Sequence, residues 1–532
     1  MGIFISIPKT IECIIIALCF GLFLTLSAAK LLGLLQESGY SGKKMIKWLN
    51  KKGNMFFGRL ALLGLLCFLS SGVIAVCFSF LGQWSAIISL IPFAIFFCVF
   101  VYADKKIALR VPAVPTKRYK RLNIVLFMVC SIISYIFVTL LNLADYCWGE
   151  GLFTAVKYCV LAVLPLLLPV LVCLANVIAK IYEVPHNKGY IKKAKEKIKD
   201  SGIIVIGVTG SYAKTTEKYI LDTMLSKKYR VLSTPRSHNT PIGIAMAVNT
   251  NNIGDYDVFI AEMGARNVGD IQELCEICPP DYAVVSGICP QHLETFGTLQ
   301  NIIKAKGEII SDTCKKAYFA PDCAEYFKDY DVEKGECGEV SDIAAGCGGT
   351  SFTLTLGGNS VRIKTKLLGE HCAYNIALAA SLAYDLGVSL EDIASAAEGL
   401  DYVEHRLQLI QSGGVNILDD GYNANVKGAR AALEVLSAFG GRKIVVTPGM
   451  VELGILEESE NKELGRLLAG FDLVILVGDT LITPVKEGYL SAGGDPEKLI
   501  IKNTLKEAQG ELKGKLKEGD TVLFLNDLPD VY

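Results

Sequence analysis

Apolar and polar positions divide this chain of 532 residues into two unlike parts. Up to about residue 180 the apolar side chains run together in long blocks. Five of these, near 10–34, 55–80, 84–103, 122–144 and 153–180, are long enough to cross about 30 Å of hydrocarbon. Gly82-Gln83-Trp84-Ser85 reads as a tight turn between the second and third blocks. The first block lacks a basic start and a small-residue cleavage site, so it reads as a span and not as a signal peptide. From Ser201 onward the pattern changes. Short β-rich runs, "YDVFIAEMG" (256–264), "DYAVVSGI" (281–288), "KIVVTPG" (443–449), "DLVILVGD" (472–479) and "TVLFLND" (521–527), alternate with helical stretches, which predicts α/β domains with parallel sheets.

Charge orients the first part. Lys43, Lys44, Lys47, Lys51 and Lys52 follow the first block. Lys105, Lys106, Arg110, Lys117, Arg118, Lys120 and Arg121 follow the third, and Lys188, Lys192, Lys193, Lys195, Lys197 and Lys199 follow the fifth. The alternate loops carry no basic residue, and 145–150, "DYCWGE", is acidic and aromatic. The positive-inside rule then predicts a multi-pass protein of the cell membrane, its amino terminus outside and the rest of the chain in the cytoplasm. The basic loops are either solvated or in touch with anionic headgroups. Few ionisable residues fall within the blocks, so they read as an anchor or platform and not as a transporter.

Composition adds limits. Mean hydropathy is +0.39 with 51% hydrophobic and 20% charged residues, an average over two unlike parts. The net charge of −1 argues against nucleic acid as a partner. The 17 cysteines are scattered, which suits small buried hydrophobes better than a disulfide framework. One CxxC, Cys275 to Cys278, has no second pair at zinc spacing and reads as helix packing.

The chemistry centres on "GVTGSYAKTTEK" (207–218), which follows the apolar run 203–206 and opens a helix-like stretch. Strand, glycine turn, Lys-Thr and helix form a phosphate cradle. The strict GxxxxGK[ST] pattern fails, with Val208 and Ala213 at its glycine positions. Gly210, Ser211, Lys214, Thr215 and Thr216 remain as nucleotide-binding candidates. Lys214 suits the β- and γ-phosphates and the Thr215 hydroxyl suits Mg²⁺. If the backbone at Ala213 has positive φ, the missing glycine costs roughly 1 kcal/mol.

This loop resembles the ATP loop of the Mur ligase family, which makes amide bonds in cell-wall precursors. Residues 261–309, from "AEMGARNVGD" to "KAKGEI", are similar to the family's central domain, above all to the branch that adds D-alanyl-D-alanine to a muramoyl tripeptide. "GEHCAYNIALAASLA" (369–383), "EHRLQLI" (404–410), "LDDGYNANVKGARAAL" (418–433) and "GMVELG" (449–454) follow in the family's order. The resemblance covers about 200–532. With the spans read above as a transmembrane domain over 1–181, it implies a central ATP-binding α/β domain over 182–403 and a Rossmann-like domain over 404–532. It also implies an ATP-dependent, ADP-forming ligase that phosphorylates a carboxylate and joins it to an amine. The resemblance makes Lys214, His292 and Lys306 catalytic, and assigns metal to Thr215 and Glu262 at one site and to His292 and Lys306 at a second. Lys306 would bind a cation as its carbamate, formed with CO₂. Asn375 corresponds to an adenine contact, Arg406 to a γ-phosphate contact and Asp420 to a ribose contact. Asn239, Thr240 and Gly243 in "SHNTPIG" resemble an acceptor-side loop.

Two departures from the family open other readings. Spans and a basic linker stand where other members carry a uridine-gripping domain, and "FLNDLPDVY" lacks a lysine–glycine–serine ending. The partners expected are an amino acid or dipeptide and a wall-precursor acceptor, lipid-linked in one version. The alternatives are a polyglutamate-type synthetase, a subunit activating a lipid-linked carboxylate for amidation, and a non-catalytic membrane nucleotide sensor.

Overall fold

The computed structural model describes residues 7–50, 113–148, 167–422, 425–478 and 481–526, with single positions between 66 and 102. The chain divides into two compact units, the first ending at His186 and the second beginning at Asn187.

In the first unit, α1 (Ile7–Ser27) and α2 (Ala29–Glu37) form one apolar pair bent by 47°. A short α3 (Gly42–Leu49) is capped by the Ser41 hydroxyl. Two long helices follow, α4 (Lys117–Trp148) and α5 (Leu168–Ser201). Leu24, Leu32, Met45, Leu126 and Val172 form a dry core. Arg121 bonds Glu183 at 2.7 Å, and Asn176 donates to the Tyr40 carbonyl at 2.9 Å. Among the described residues, two helices are long and apolar enough to cross a membrane, or three if the bent pair is one span. The spans expected over 55–80 and 84–103, with the turn at 82–85, lie outside the described residues, as does the start of the fifth. Two boundaries differ from expectation. No glycine or proline interrupts 141–148, so α4 continues through Asp145–Trp148 where a loop was expected. The basic run 188–199 is not a linker but the end of α5, which absorbs Pro185.

The second unit holds three sheets. The first is parallel, in the order β2-β3-β1-β4-β5-β6: β1 (Ile204–Thr209), β2 (Val231–Ser233), β3 (Val258–Glu262), β4 (Tyr282–Val285), β5 (Lys316–Phe319) and β6 (Glu333–Lys334). Its inner strands β1, β3 and β4 read as continuous apolar runs because both faces are covered, while the edge strand β6 is polar and exposed. The helices are α6 (Lys214–Leu225), α7 (Pro241–Thr250), α8 (Asp270–Ile277), α9 (Leu293–Phe296) and α10 (Leu299–Gly307). A separate antiparallel sheet, β7 (Glu339–Gly346), β8 (Gly349–Leu356) and β9 (Asn359–Thr365), packs Phe352 and Leu354 against α11 (His371–Asp385), with α12 (Leu390–Glu398) after it. The second large sheet has the order β10-β11-β15-β12-β13-β14, parallel except for β10. Its elements are β10 (Gln408–Ser412), β11 (Val415–Asp420), α13 (Val426–Ser437), β12 (Lys443–Thr447), α14 (Glu457–Leu468), β13 (Leu473–Val477), α15 (Ile482–Ser491), β14 (Leu499–Lys502), α16 (Leu505–Lys513) and β15 (Thr521–Leu525).

The last turns of α5 belong to the core of this unit. Ala194 and Ile198 are buried in it, and the Asn249 amide donates to the Tyr190 carbonyl at 2.8 Å. The Lys197 ammonium reaches the carbonyls of Val248, Asn249 and Asn251 at 3.3–3.4 Å, completing the carboxyl end of α7.

Candidate active site

The phosphate loop leaves the carboxyl end of β1, where ligands bind in parallel sheets. Gly210 (φ +151°) lies so close to β4 that a Cβ would sit 2.2 Å from Ser286 Oγ, so this position requires glycine. Ser211 is pinned by its amide to the Gly287 carbonyl at 2.8 Å and by its hydroxyl to the Cys289 carbonyl at 3.1 Å. Ala213 has φ +58°, the left-handed conformation that glycine would take freely, and stands immediately before α6. Lys214 is turned back onto the loop, its ammonium 2.7 Å from the Gly210 carbonyl. Burial, reinforced by nearby Arg406 and opposed by Glu262, lowers this lysine to about 8.

Glu262 ends β3 in the neighbouring strand position, and its side chain is buried. Thr215 Oγ1 donates to its Oε1 at 3.2 Å, so the two residues read as a metal pair do stand together. Two further partners were missed by sequence reasoning. Lys218 Nζ lies 3.1 Å from Oε2 and Asn239 Nδ2 lies 3.2 Å from Oε1. The signal for Lys218 was its spacing, one helical turn beyond Lys214. Asn239, expected on the acceptor side, therefore also reaches the phosphate end. Its neighbour Thr240 caps α7 by accepting from the Gly243 amide at 3.3 Å.

Lys306 lies at the end of α10 with only 3% of its surface exposed, and no hydrogen bond or ion pair engages its Nζ among the described residues. Burial, with the Lys214 charge next in size, holds it well below the usual lysine range. A neutral, enclosed amine is the form that reacts with CO₂, so the residue suits the carbamate. His292 begins α9 in a left-handed conformation, φ +53°. Its Nδ1 contacts the Glu452 carboxylate, and burial, opposed by that contact, lowers its basicity. Among the described residues no three of His, Cys, Asp and Glu converge on one point. A cation here would thus need the threonine hydroxyl, the modified lysine and phosphate oxygens beside Glu262 and His292.

Across the loop the second sheet supplies the other wall. One cleft is lined by Tyr212, Ala213, Thr216, Asn375, Arg406, Asp420 and Asn425, so four of the expected nucleotide contacts, Thr216, Asn375, Arg406 and Asp420, meet there. Arg406 donates to the Tyr422 carbonyl at 2.5 Å. Asp420 accepts from the Leu407 amide at 3.1 Å, and burial pushes its carboxyl up to about 6 against the pull of Arg406. Tyr212 and Lys427 both bond Asp322, and the lysine lies 5.4 Å from the tyrosine ring. This tie between loop and α13 had no sequence signal, because its members are far apart in the chain.

Residues 208–383 match the Mur ligase middle domain, and residues 405–526 match the domain described as Mur ligase, glutamate ligase domain. The UDP-N-acetylmuramoyl-tripeptide--D-alanyl-D-alanine ligase of Bacillus subtilis is 29% identical over 62% of this chain and 74% of its own length. The enzyme of the same name from Escherichia coli is 31% identical over 52% of this chain, and the chain spans only 64% of its length. Among solved structures, MurF from Acinetobacter baumannii superposes with a TM-score of 0.58 at 27% identity, over 64% of this chain and 77% of its own. The MurF ligase of Thermotoga maritima in complex with ADP gives 0.57 at 29%, over 64% and 80%. With both domains matched in order and the loop, Glu262, Lys306 and Asp420 gathered as described, this chain belongs to the Mur ligase family.

Proposed function

We propose that the chain is an ATP-dependent, ADP-forming peptide ligase of Mur type acting in peptidoglycan precursor synthesis. Its substrates would be those in its relatives' names, a UDP-N-acetylmuramoyl-tripeptide and D-alanyl-D-alanine. The observation that carries this reading is the cleft that Tyr212, Ala213 and Thr216 of the phosphate loop share with Asn375 while Arg406 and Asp420 close the opposite side. In such a ligase the carboxylate of the tripeptide attacks the γ-phosphorus and ADP leaves. The amine then attacks the acyl phosphate and inorganic phosphate leaves, forming the amide. Lys214 and Arg406 balance charge on the transferred phosphoryl group, and Asp420 and Asn375 hold ribose and adenine. Thr215 and Glu262 would hold one Mg²⁺, and His292 with carbamylated Lys306 a second. Bound there, Mg²⁺ would neutralise phosphate charge. Incubation with ATP, Mg²⁺ and the two substrates should release ADP and a product whose mass equals their sum less one water. No ADP release with any wall precursor would overturn the reading in favour of a nucleotide sensor.

A second reading concerns the acceptor. Five spans, an external amino terminus and cytoplasmic catalytic domains would hold the site against the membrane, where a lipid-linked acceptor is concentrated without new contacts. The burial of Ala194 and Ile198 favours it, since the end of α5 supports α7, the helix after Asn239 and Thr240. The check is kcat/KM for soluble and lipid-linked acceptors in liposomes. Preference for the soluble one would leave the spans as a tether.

A further inference from the structure

The loop "GMVELG" enters the site from the second sheet domain, and its geometry is fixed with care. The buried Asn461 side chain clamps Met450 from both sides, accepting from its amide at 2.8 Å and donating to its carbonyl at 2.7 Å. Asn526 donates to the Gly449 carbonyl at 2.6 Å. Two residues on, Glu452 takes the left-handed conformation, φ +63°, and faces His292, itself left-handed at +53°. Strained backbone of this kind persists only where the surroundings over-determine it. The Leu293 amide donates to the Glu452 carbonyl at 2.9 Å, locking the two turns together. Gly454 (φ +58°) lets the chain leave close against Leu293, where a Cβ would sit 3.2 Å from the leucine Cβ. Within this frame the two carboxylate oxygens have separate tasks. Oε2 meets His292 Nδ1, and Oε1 receives Arg266 Nη1 at 3.3 Å.

An ionised carboxylate only accepts hydrogen bonds, so the imidazole proton sits on Nδ1 and the Nε2 lone pair is left for another partner. A histidine that ligates metal commonly has its other nitrogen held in this way, which fixes both the tautomer and the ring plane. We propose that Glu452 is a positioning residue for the second metal site, its carboxylate orienting His292 so that Nε2 can take a divalent cation only when the C-terminal domain is docked. This rests on the reading of His292 as a ligand given above. The pair lies on different domains, so cation binding and closure of the two domains become one event. The Glu452–Arg266 bond serves to hold the carboxylate and does not touch the imidazole.

The test is Mn²⁺ binding to the full-length protein in detergent with saturating ADP, read by electron paramagnetic resonance of free Mn²⁺. Glu452→Ala should weaken one Mn²⁺ site by about 10- to 100-fold. Glu452→Gln, isosteric and with an amide oxygen still able to accept a hydrogen bond from Nδ1–H, should lose less than about tenfold and guards against misfolding of the alanine variant. Arg266→Ala should stay within about threefold. His292→Ala should match or exceed the loss in Glu452→Ala. If His292→Ala weakens binding while both Glu452 variants bind as the parent does, the positioning role is wrong and the ligand role stands. If His292→Ala changes nothing, the ligand reading falls and the proposal with it. An equal loss in Arg266→Ala and Glu452→Ala would mean general domain docking and would also overturn it.

Discussion

The two walls of the nucleotide cleft are built in different ways. On the middle-domain side, Gly210, Lys214, Thr215 and Glu262 come from adjacent parallel strands and the loop between them and a helix. Their side chains are already bonded to one another and to the sheet. On the C-terminal side, Asp420 ends β11, while Arg406 and Glu452 stand in irregular segments flanked or formed by left-handed residues, His405, Leu407 and Glu452. The first wall is preorganised by contacts within one sheet domain. In the second, Arg406 and Asp420 are held by bonds within their own domain and Glu452 by bonds to the middle domain, and the charges are partly desolvated. Damage to the first should therefore strike the chemical step, and damage to the second should trade binding against stability.

The largest break in this contrast is Lys214→Ala. Removing the cation that faces the transferred phosphoryl group should lower ATP turnover by about 10³-fold or more, and turnover within about tenfold of the parent would void the phosphate-loop assignment. Next comes Lys306→Ala, expected to lose about 10²-fold and to regain part of it with added acetate or formate in place of the carbamate. Full activity without rescue would remove Lys306 from the site.

Asp420→Asn tests the other wall. Its carboxyl, raised from 3.8 to about 6, favours the neutral form in the fold. That contribution to stability is complete below about pH 4 and is lost as pH rises through about 6, a difference of about 3 kcal/mol. The amide should thus raise the melting temperature at pH 7, flatten its dependence between pH 4 and 6, and weaken nucleotide binding about tenfold. Weaker binding with lower stability at pH 7 would mean that the carboxylate is structural. The smallest effect is Ala213→Gly. With φ at +58°, glycine should relieve about 1 kcal/mol, visible as a higher denaturant midpoint with little change in turnover.

The same contrast sets what could be read from sequence. The buried strands β1, β3, β4, β12, β13 and β15 were legible because full burial writes them as apolar runs, whereas β2, β5, β6, β11 and β14, shorter or partly exposed, were not, and Lys214, Thr215 and Glu262 were legible because strand ends and glycine turns have fixed spacing. The sheet β7–β9 was not legible. Only β8, with alternating buried and half-exposed positions, carries a clean period of two, and β7 is mostly exposed. Lys218, Asp322, Lys427 and Glu452 were not picked out, since their partners are set by tertiary contact and a lysine or glutamate in isolation reads as a solvated charge. In the first unit hydropathy located α4 and the apolar part of α5 but not where either helix ends. Nothing in 145–148 or at Pro185 stopped the helices.

The carboxyl end of α5 carries a consequence for how the protein is made. Its Ala194 and Ile198 are core residues of the second unit, and Lys197 closes α7, yet the matched family domain begins only at residue 208. A gene fragment cut at that border would lose the brace together with Ile204–Gly207 of the central strand β1, and the brace alone leaves an apolar slot worth roughly 2–3 kcal/mol for its isoleucine. A fragment meant to fold would therefore begin upstream of Tyr190, whose carbonyl is held by the Asn249 amide.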